Sequence, residues 1–358
     1  MKRLVAAVGL CVVLVLAGCT GVGVPPVDPT EPPTGEPTDV STDEPRSPAT
    51  AGTFEVHAIN VGQADATLLR TREETMLIDS GDWRDDGETV VEYLEAHDVD
   101  RIDHLISTHA HADHIGGHEA IIDHYETERE GIGAIYDPGV PATSRTYEEY
   151  LDAVERHNVT LFEVRDGDEI PFEGTRTVVR NPPEPPGDSL NDNSVAVTIA
   201  FGNTTFLFTG DAEREMESRM LDAHGDALAA DVYHAGHHGS DTSSSAAFLD
   251  AVDPEVAIVS AAHDSPYGHP HDEPLERFAE RNTRAVWTAT HGSIVFESNG
   301  TNISVRTQHD VTMSPLELDG APEATADPTD PAAERTVIRS VSTAHAHQRV
   351  QPRTGVTP

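Results

Sequence analysis

Cysteine is nearly absent from this chain: among 358 residues only Cys11 and Cys19 carry a thiol, and both lie in the first twenty. A disulfide-stapled scaffold is therefore excluded, and nothing requires oxidising or reducing surroundings. Long apolar runs are missing as well. The one apolar stretch, Leu4 to Gly18, follows the basic start Met1-Lys2-Arg3 and is shorter than the roughly 20 residues a membrane-spanning helix needs. It reads as the core of a secretory signal. Basic residues are the third scarcity: 23 Lys and Arg face 63 Asp and Glu, a formal net charge of -40. The basic stripe that marks most nucleic-acid binders is missing.

The acids are spread through the chain, so they repel one another at low salt. At molar salt the screening length falls to about 3 Å and the repulsion largely disappears. The composition resembles that of proteins from extreme halophiles, and in such salt the charge argument against nucleic acid loses weight. Residues 1–19 end in Leu16-Ala17-Gly18-Cys19, which resembles the lipobox of lipoprotein signal peptides. That resemblance implies a lipid on Cys19 and a place on the extracellular face of the cell membrane; a plain secretory signal or an uncleaved anchor is the alternative. Residues 20–52 are rich in Pro, Thr, Asp and Glu and read as an acidic tether unable to bury a core. The tail, 312–358, is similarly poor in core formers and is expected to be disordered. The folded domain is placed at 53–311.

Within it, strands are expected at 54–60, 66–70, 75–78, 102–107, 160–164, 194–201, 204–209, 231–235, 256–260, 285–288 and 293–297. Helical spacing is seen around 89–96, 119–125, 147–157, 212–222, 246–251 and 274–282. Two halves of strands followed by helices give an α/β (α+β) domain with two sheets packed together and helices outside.

The run Thr108-His109-Ala110-His111-Ala112-Asp113-His114 follows an apolar strand. It sets three imidazoles and a carboxylate side by side, the donor types that hold divalent cations. His109 and His111 suit one cation, Asp113 and His114 a second. Other polar groups stand at the ends of expected strands: Asp79, Asp211, and the pair His237-His238.

These residues resemble the metallo-β-lactamase superfamily, an αββα sandwich of metal-dependent hydrolases. The His109-x-His111-x-Asp113-His114 run, Asp79-Ser80-Gly81 and Thr209-Gly210-Asp211 match its motifs. Asn60-Val61-Gly62-Gln63-Ala64-Asp65-Ala66, Gly236-His237-His238-Gly239-Ser240 and Tyr267-Gly268-His269-Pro270-His271 resemble the hydrolase domain of ComEC-type DNA-uptake proteins. The resemblance covers about 54–300. It implies two divalent ions, zinc or manganese, held by His109, His111, Asp113, His114, Asp211 and His237, with Asp211 as the bridge and His237 on the second ion. Asp113, His238 and His269 are candidates for the chemistry. Asp79 is placed behind an imidazole, and Ser240 beside the substrate or the ligands.

One departure stands out. The superfamily commonly supplies a further histidine before the bridging aspartate, yet no His occurs between His157 and His224. Asn193 or Asp192 is the expected substitute, giving an oxygen-rich first site and moving the preference from zinc toward manganese. The expected reaction is phosphodiester hydrolysis, by a phosphodiesterase or nuclease acting on DNA outside the cell. A small phosphodiester such as a phosphocholine compound, a lactone, a thioester, or a non-catalytic binding module with a vestigial site are the alternatives.

Overall fold

The computed structural model describes residues 52–339; the expected signal, the lipidation residue Cys19 and the tether lie outside them. Nine strands form the first sheet, in the order Ala333–Arg339, Asn302–Thr307, Ile294–Ser298, Phe54–Ala58, Thr67–Arg70, Thr75–Ile78, Ile102–Ile106, Ile132–Asp137 and Leu161–Glu163. Seven form the second, in the order Arg284–Trp287, Val256–Val259, Val232–His234, Thr204–Phe208, Ala196–Phe201, Arg176–Asn181 and Glu169–Ile170. Each sheet joins an antiparallel half to a parallel half. The change falls at Thr75–Ile78 in the first and at Thr204–Phe208 in the second.

Alternation along the strands builds the layers, because successive side chains of a strand point to opposite faces. Met76, Ile78 and Ile106 meet Val197, Ile199, Phe206, Phe208 and Ile258 between the sheets. Their neighbours Leu77 and Leu105 point the other way, onto Val90 and Leu94, Ile121 and Ile122, and Tyr150. These belong to the helices Glu88–Ala96, His118–Glu128 and Arg145–His157. In the second sheet Leu207, Tyr233 and Val259 turn outward onto Met220, Phe248 and Phe278, from the helices Arg214–His224, Ala246–Val252 and Asp272–Glu280. The result is the expected four-layer αββα sandwich. Among the described residues no helix is long and apolar enough to cross a membrane.

The expected boundary at 311 is too early. Within 312–339, Leu318 is fully buried against the outer layer of the second sheet and Ile338 is buried between the sheets. Strand Ala333–Arg339 extends the first sheet beside Asn302–Thr307. The side-chain amide of Gln308 donates to the carbonyls of Asp327, Pro328 and Asp330, which pins the polar segment in between. Scattered apolar residues in a polar segment give no periodic signal, so only tertiary burial identifies this part as folded. The remaining residues of the expected tail, 340–358, lie outside the described residues. Strand Ile132–Asp137 was likewise not expected: Gly133 interrupts its pattern. The glycine is needed because a Cβ there would come within 2.4 Å of the Asp103 carbonyl on the adjacent strand.

Candidate metal centre

Four loops leave the carboxyl ends of adjacent strands and converge. They carry Asp79 after Thr75–Ile78, residues 108–114 after Ile102–Ile106, Asp211 after Thr204–Phe208, and His237 and His238 after Val232–His234. Carboxyl ends of parallel strands are where open α/β sheets place their ligands. His237 and His238 take up left-handed backbone angles in succession, φ 52° and 55°. Such angles cost non-glycine residues free energy and cluster at functional sites.

Asp211 stands at the centre, 1 % exposed. Its Oδ1 lies 3.2 Å from His114 Nε2 and 3.9 Å from His238 Nε2. Its Oδ2 lies 3.6 Å from His109 Nε2 and 3.6 Å from His237 Nε2. One carboxylate thus presents each oxygen to a different pair of imidazoles. His111 Nδ1 completes the second side at 2.9 Å from His109 Nε2.

The rings are aimed from behind. Asp79 Oδ2 accepts from His114 Nδ1 at 2.8 Å, and Asp79 is itself fixed by the Thr108 amide and hydroxyl at 2.8 and 2.7 Å. His238 Nδ1 donates to the Ser260 carbonyl at 2.9 Å. With Nδ1 protonated, each ring turns an Nε2 lone pair into the centre, the tautomer that metal-ligating histidines adopt.

The electrostatics mark a centre of buried negative charge, which draws protons onto His114 and His238 and would draw a cation in their place. Burial disfavours ionised Asp211, yet His114 and His238 outweigh it and hold the carboxyl well below its ordinary range. Burial also opposes ionised Asp113, but His238, whose Nε2 lies 3.3 Å away, and the His114 charge bring it down. Burial opposes charge on His114, which Asp211 and Asp79 raise well above the usual histidine value. His238 is pushed up to about 9 against its burial by Asp65, Asp211 and Asp113. His109 is held well below the ordinary value by burial and by His114. His114 Nε2, His238 Nε2 and Asp211 Oδ1 are buried without a hydrogen-bond partner. Buried polar atoms are seldom left so. Ionised carboxylates facing orphaned imidazole nitrogens are the donor set of a divalent cation.

Several expected residues sit elsewhere than the sequence indicated. His238, not His237, faces the same Asp211 oxygen as His114, with Asp113 Oδ2 at 3.3 Å from its Nε2. His237 lies on the His109 side, its Nδ1 between Glu213 Oε1 and Thr242 Oγ1, each at 3.2 Å. Asn193 cannot serve as the substitute ligand. It is buried, and its amide is used up by the Gly187 amide, the Gly187 carbonyl and the Ser189 carbonyl. Asp192 is turned to the Ser189 amide. The first site is therefore nitrogen-rich, and the oxygen-rich side is the one with Asp113. Ser240 is buried and bonded to Thr242, bracing the loop. His269 lies 5.6 Å from His237 and 6.2 Å from His238, ring to ring. Burial and those two rings lower it to about 4, so it is neutral at neutral pH, with one ring N–H and one acceptor nitrogen, and is not an acid there.

Asp65 carries no site signal in the sequence. It is buried with Oδ1 lacking a hydrogen-bond partner. Ligand atoms of Asp65, His114, Asp211 and His238 lie mutually within 4.8 Å, as do those of His109, His111 and Asp211. Asp65 approaches at 4.0 Å from His114 Nδ1 and 3.8 Å from His238 Nδ1, the ring edges already engaged by Asp79 and Ser260. It stands behind the rings rather than among the inward-facing donors. Its place in the Gln63-Ala64-Asp65 turn is one that a turn-forming Asp equally explains.

The sequence profile of the metallo-β-lactamase superfamily matches residues 59–263. The chain belongs to that superfamily. Its members are metal-dependent hydrolases. Among curated relatives, ComE operon protein 3 of Bacillus subtilis (strain 168) is 30 % identical over 268 residues, covering 70 % of this chain and 34 % of its own length. Competence protein ComA of Neisseria gonorrhoeae is 30 % identical over 237 residues, covering 66 % of this chain and 31 % of its own length. This metallo-β-lactamase chain thus spans about a third of the relatives it matches. Among solved structures, the metallo-β-lactamase fold protein YhfI from Bacillus subtilis is 12 % identical with a TM-score of 0.48, over 69 % of this chain and 100 % of that one.

Proposed function

We propose that this metallo-β-lactamase chain is a phosphodiesterase of the nuclease type, working with two divalent cations, zinc or manganese. The observation that carries the reading is the division of Asp211. Oδ2 with His109 and His111, and His237 alongside, would hold one ion. Oδ1 with His114, His238 and Asp113 would hold the other. Bound there, the cations would lower the pKa of a water and draw charge from a phosphoryl oxygen.

The protein's own part is positioning. Asp79 and the Ser260 carbonyl keep His114 and His238 in the Nδ1-protonated form, so neither ring must reorient on binding. Thr108 locks Asp79 through two hydrogen bonds. His269 is neutral and can accept a proton or a hydrogen bond near the reacting group. The likeness to competence proteins favours DNA as substrate, and the lipobox-like segment ending at Cys19 favours an external, lipid-anchored enzyme. The mixture of N and O donors leaves zinc and manganese as equal candidates.

Hydrolysis of bis-p-nitrophenyl phosphate in molar salt, abolished by a chelator and restored by zinc or manganese, is the expected result. Full activity in a His111→Ala, Asp211→Ala double variant would overturn the reading. So would a metal-loaded enzyme that cleaves a lactone or thioester and no phosphodiester.

A further inference from the structure

We propose that Trp83 and Tyr267 form an aromatic clamp that stacks on the bases of a single-stranded nucleic acid at the mouth of the metal centre; the inference rests on the phosphodiesterase reading above. A cleft of about 510 Å³ opens beside Asp113, with Gln63, Trp83, Arg84 and Tyr267 in its lining. Its size is within the roughly 300–1,000 Å³ of small-molecule sites. Among the described residues three aromatic side chains are exposed: Trp83 at 52 %, Phe162 at 49 % and Tyr267 at 66 %. A single exposed aromatic is ordinary. Two of the three in one cleft, at the chemistry, are not.

Each is held on one side, Trp83 by its backbone and with Arg84 over one ring face, Tyr267 against His269, while about half or more of each side chain stays exposed. The Trp83 amide donates to the carbonyl of Ala112, the residue before Asp113, at 3.0 Å. Gly116 allows that approach, since a Cβ there would meet the Trp83 nitrogen at 2.1 Å. Tyr267 contacts the His269 ring at 5.8 Å, and His269 contacts His238. One wall of the cleft is thus continuous with the metal centre.

Charge decides how a strand would be held. The cation in the lining, Arg84, is gripped by both oxygens of Asp82 at 3.1 and 2.9 Å and lies 4.7 Å over the Trp83 ring. Asp82, Asp85 and Asp113 line the same cleft. Phosphate neutralisation by Lys and Arg, the usual source of nucleic-acid affinity, is therefore weak here. Stacking remains, because every base has a π-face and the contact is not ionic, so salt does not screen it. Only an unpaired, splayed base offers both faces, so the occupant is a single strand rather than a duplex.

The chain has two tryptophans, and Trp287 is buried at 2 % exposure, so a change in emission on adding a strand reports Trp83. The full chain with its metal is titrated in molar KCl with phosphorothioate dT12, with U12, and with an abasic strand of equal length. The expected result is quenching by dT12 or U12, the pair separating DNA from RNA, and binding of the abasic strand at least about tenfold weaker. Tyr267→Ala should weaken the preferred strand by roughly five- to a hundredfold, with Tyr267→Phe restoring it. Trp83→Leu should lower affinity likewise, read by anisotropy of a labelled strand. Equal binding of abasic and base-bearing strands, or no quenching by either, overturns the clamp. Bis-p-nitrophenyl phosphate hydrolysis without base-dependent binding overturns the clamp alone; base-dependent binding without hydrolysis overturns the phosphodiesterase reading alone.

Discussion

Asp211 and His114 face one another across 3.2 Å, Oδ1 against Nε2, and neither atom has a hydrogen-bond partner. Two buried ligand atoms at that spacing can bind one cation side by side. Replacing Asp211 by Asn keeps the volume and removes the charge that both sides share. Asp211→Asn should lose at least about a hundredfold in kcat, on the scale of losing one preorganised electrostatic group. Steady-state assay of the phosphodiester checks it.

Asp79 acts through His114. It touches the ring at Nδ1, away from the inward-facing nitrogen. Asp79→Ala should cost about 10- to 100-fold in metal affinity, the usual penalty for removing a carboxylate behind a ligating histidine. Competition with a chromogenic chelator gives the affinity directly, and unchanged affinity would remove Asp79 from the account.

Asp137 carries a stability cost. Burial raises its carboxyl to about 6, against bonds from the Gly139 amide and the Tyr150 hydroxyl that work to lower it. Its pKa in the fold lies above the ordinary aspartate value near 3.8, so between pH 4 and 6 the native state binds more protons than the unfolded state. Stability contributed there is present below pH 4 and is lost as pH rises through 6. The loss amounts to about 3 kcal/mol from two pKa units. Asp137→Asn should flatten this part of the denaturant-derived stability profile. An unchanged slope would show that Asp137 is not its source.

Leu318 anchors the segment beyond the expected domain end. Truncating it to Ala removes a fully buried side chain and should cost about 2–5 kcal/mol. Urea unfolding measures the loss; a change under 0.5 kcal/mol would mean that the segment is dispensable.

With a formal net charge of -40, the folded chain repels itself. Melting temperature should rise as KCl increases from about 0.1 M toward molar, as the screening length falls from about 10 to about 3 Å. A flat or falling curve would contradict the halophile-like reading of the composition.

The sequence made the layers legible because its strands alternate or run apolar between turns, and the His109–His114 cluster is contiguous. Asp211 was legible from its place at the end of an apolar strand together with the resemblance of Thr209-Gly210-Asp211 to a superfamily motif. What was hidden depends on tertiary geometry. His237 and His238 are neighbours, and only their successive left-handed angles send one ring to each side of Asp211. Asn193 reads as a ligand until its amide is seen to be consumed within 187–193. Asp65 sits in a turn, and Leu318 and Ile338 are isolated in polar sequence, so no period marks any of them.

The central claim is that Asp211 divides two cations between its oxygens. Elemental analysis of metal per chain, on protein loaded with zinc or manganese and desalted, tests it most directly. Close to two ions per wild-type chain, falling to one or fewer in Asp211→Asn, is the predicted result. Well under one ion in the wild type, or two retained in the variant, would contradict it.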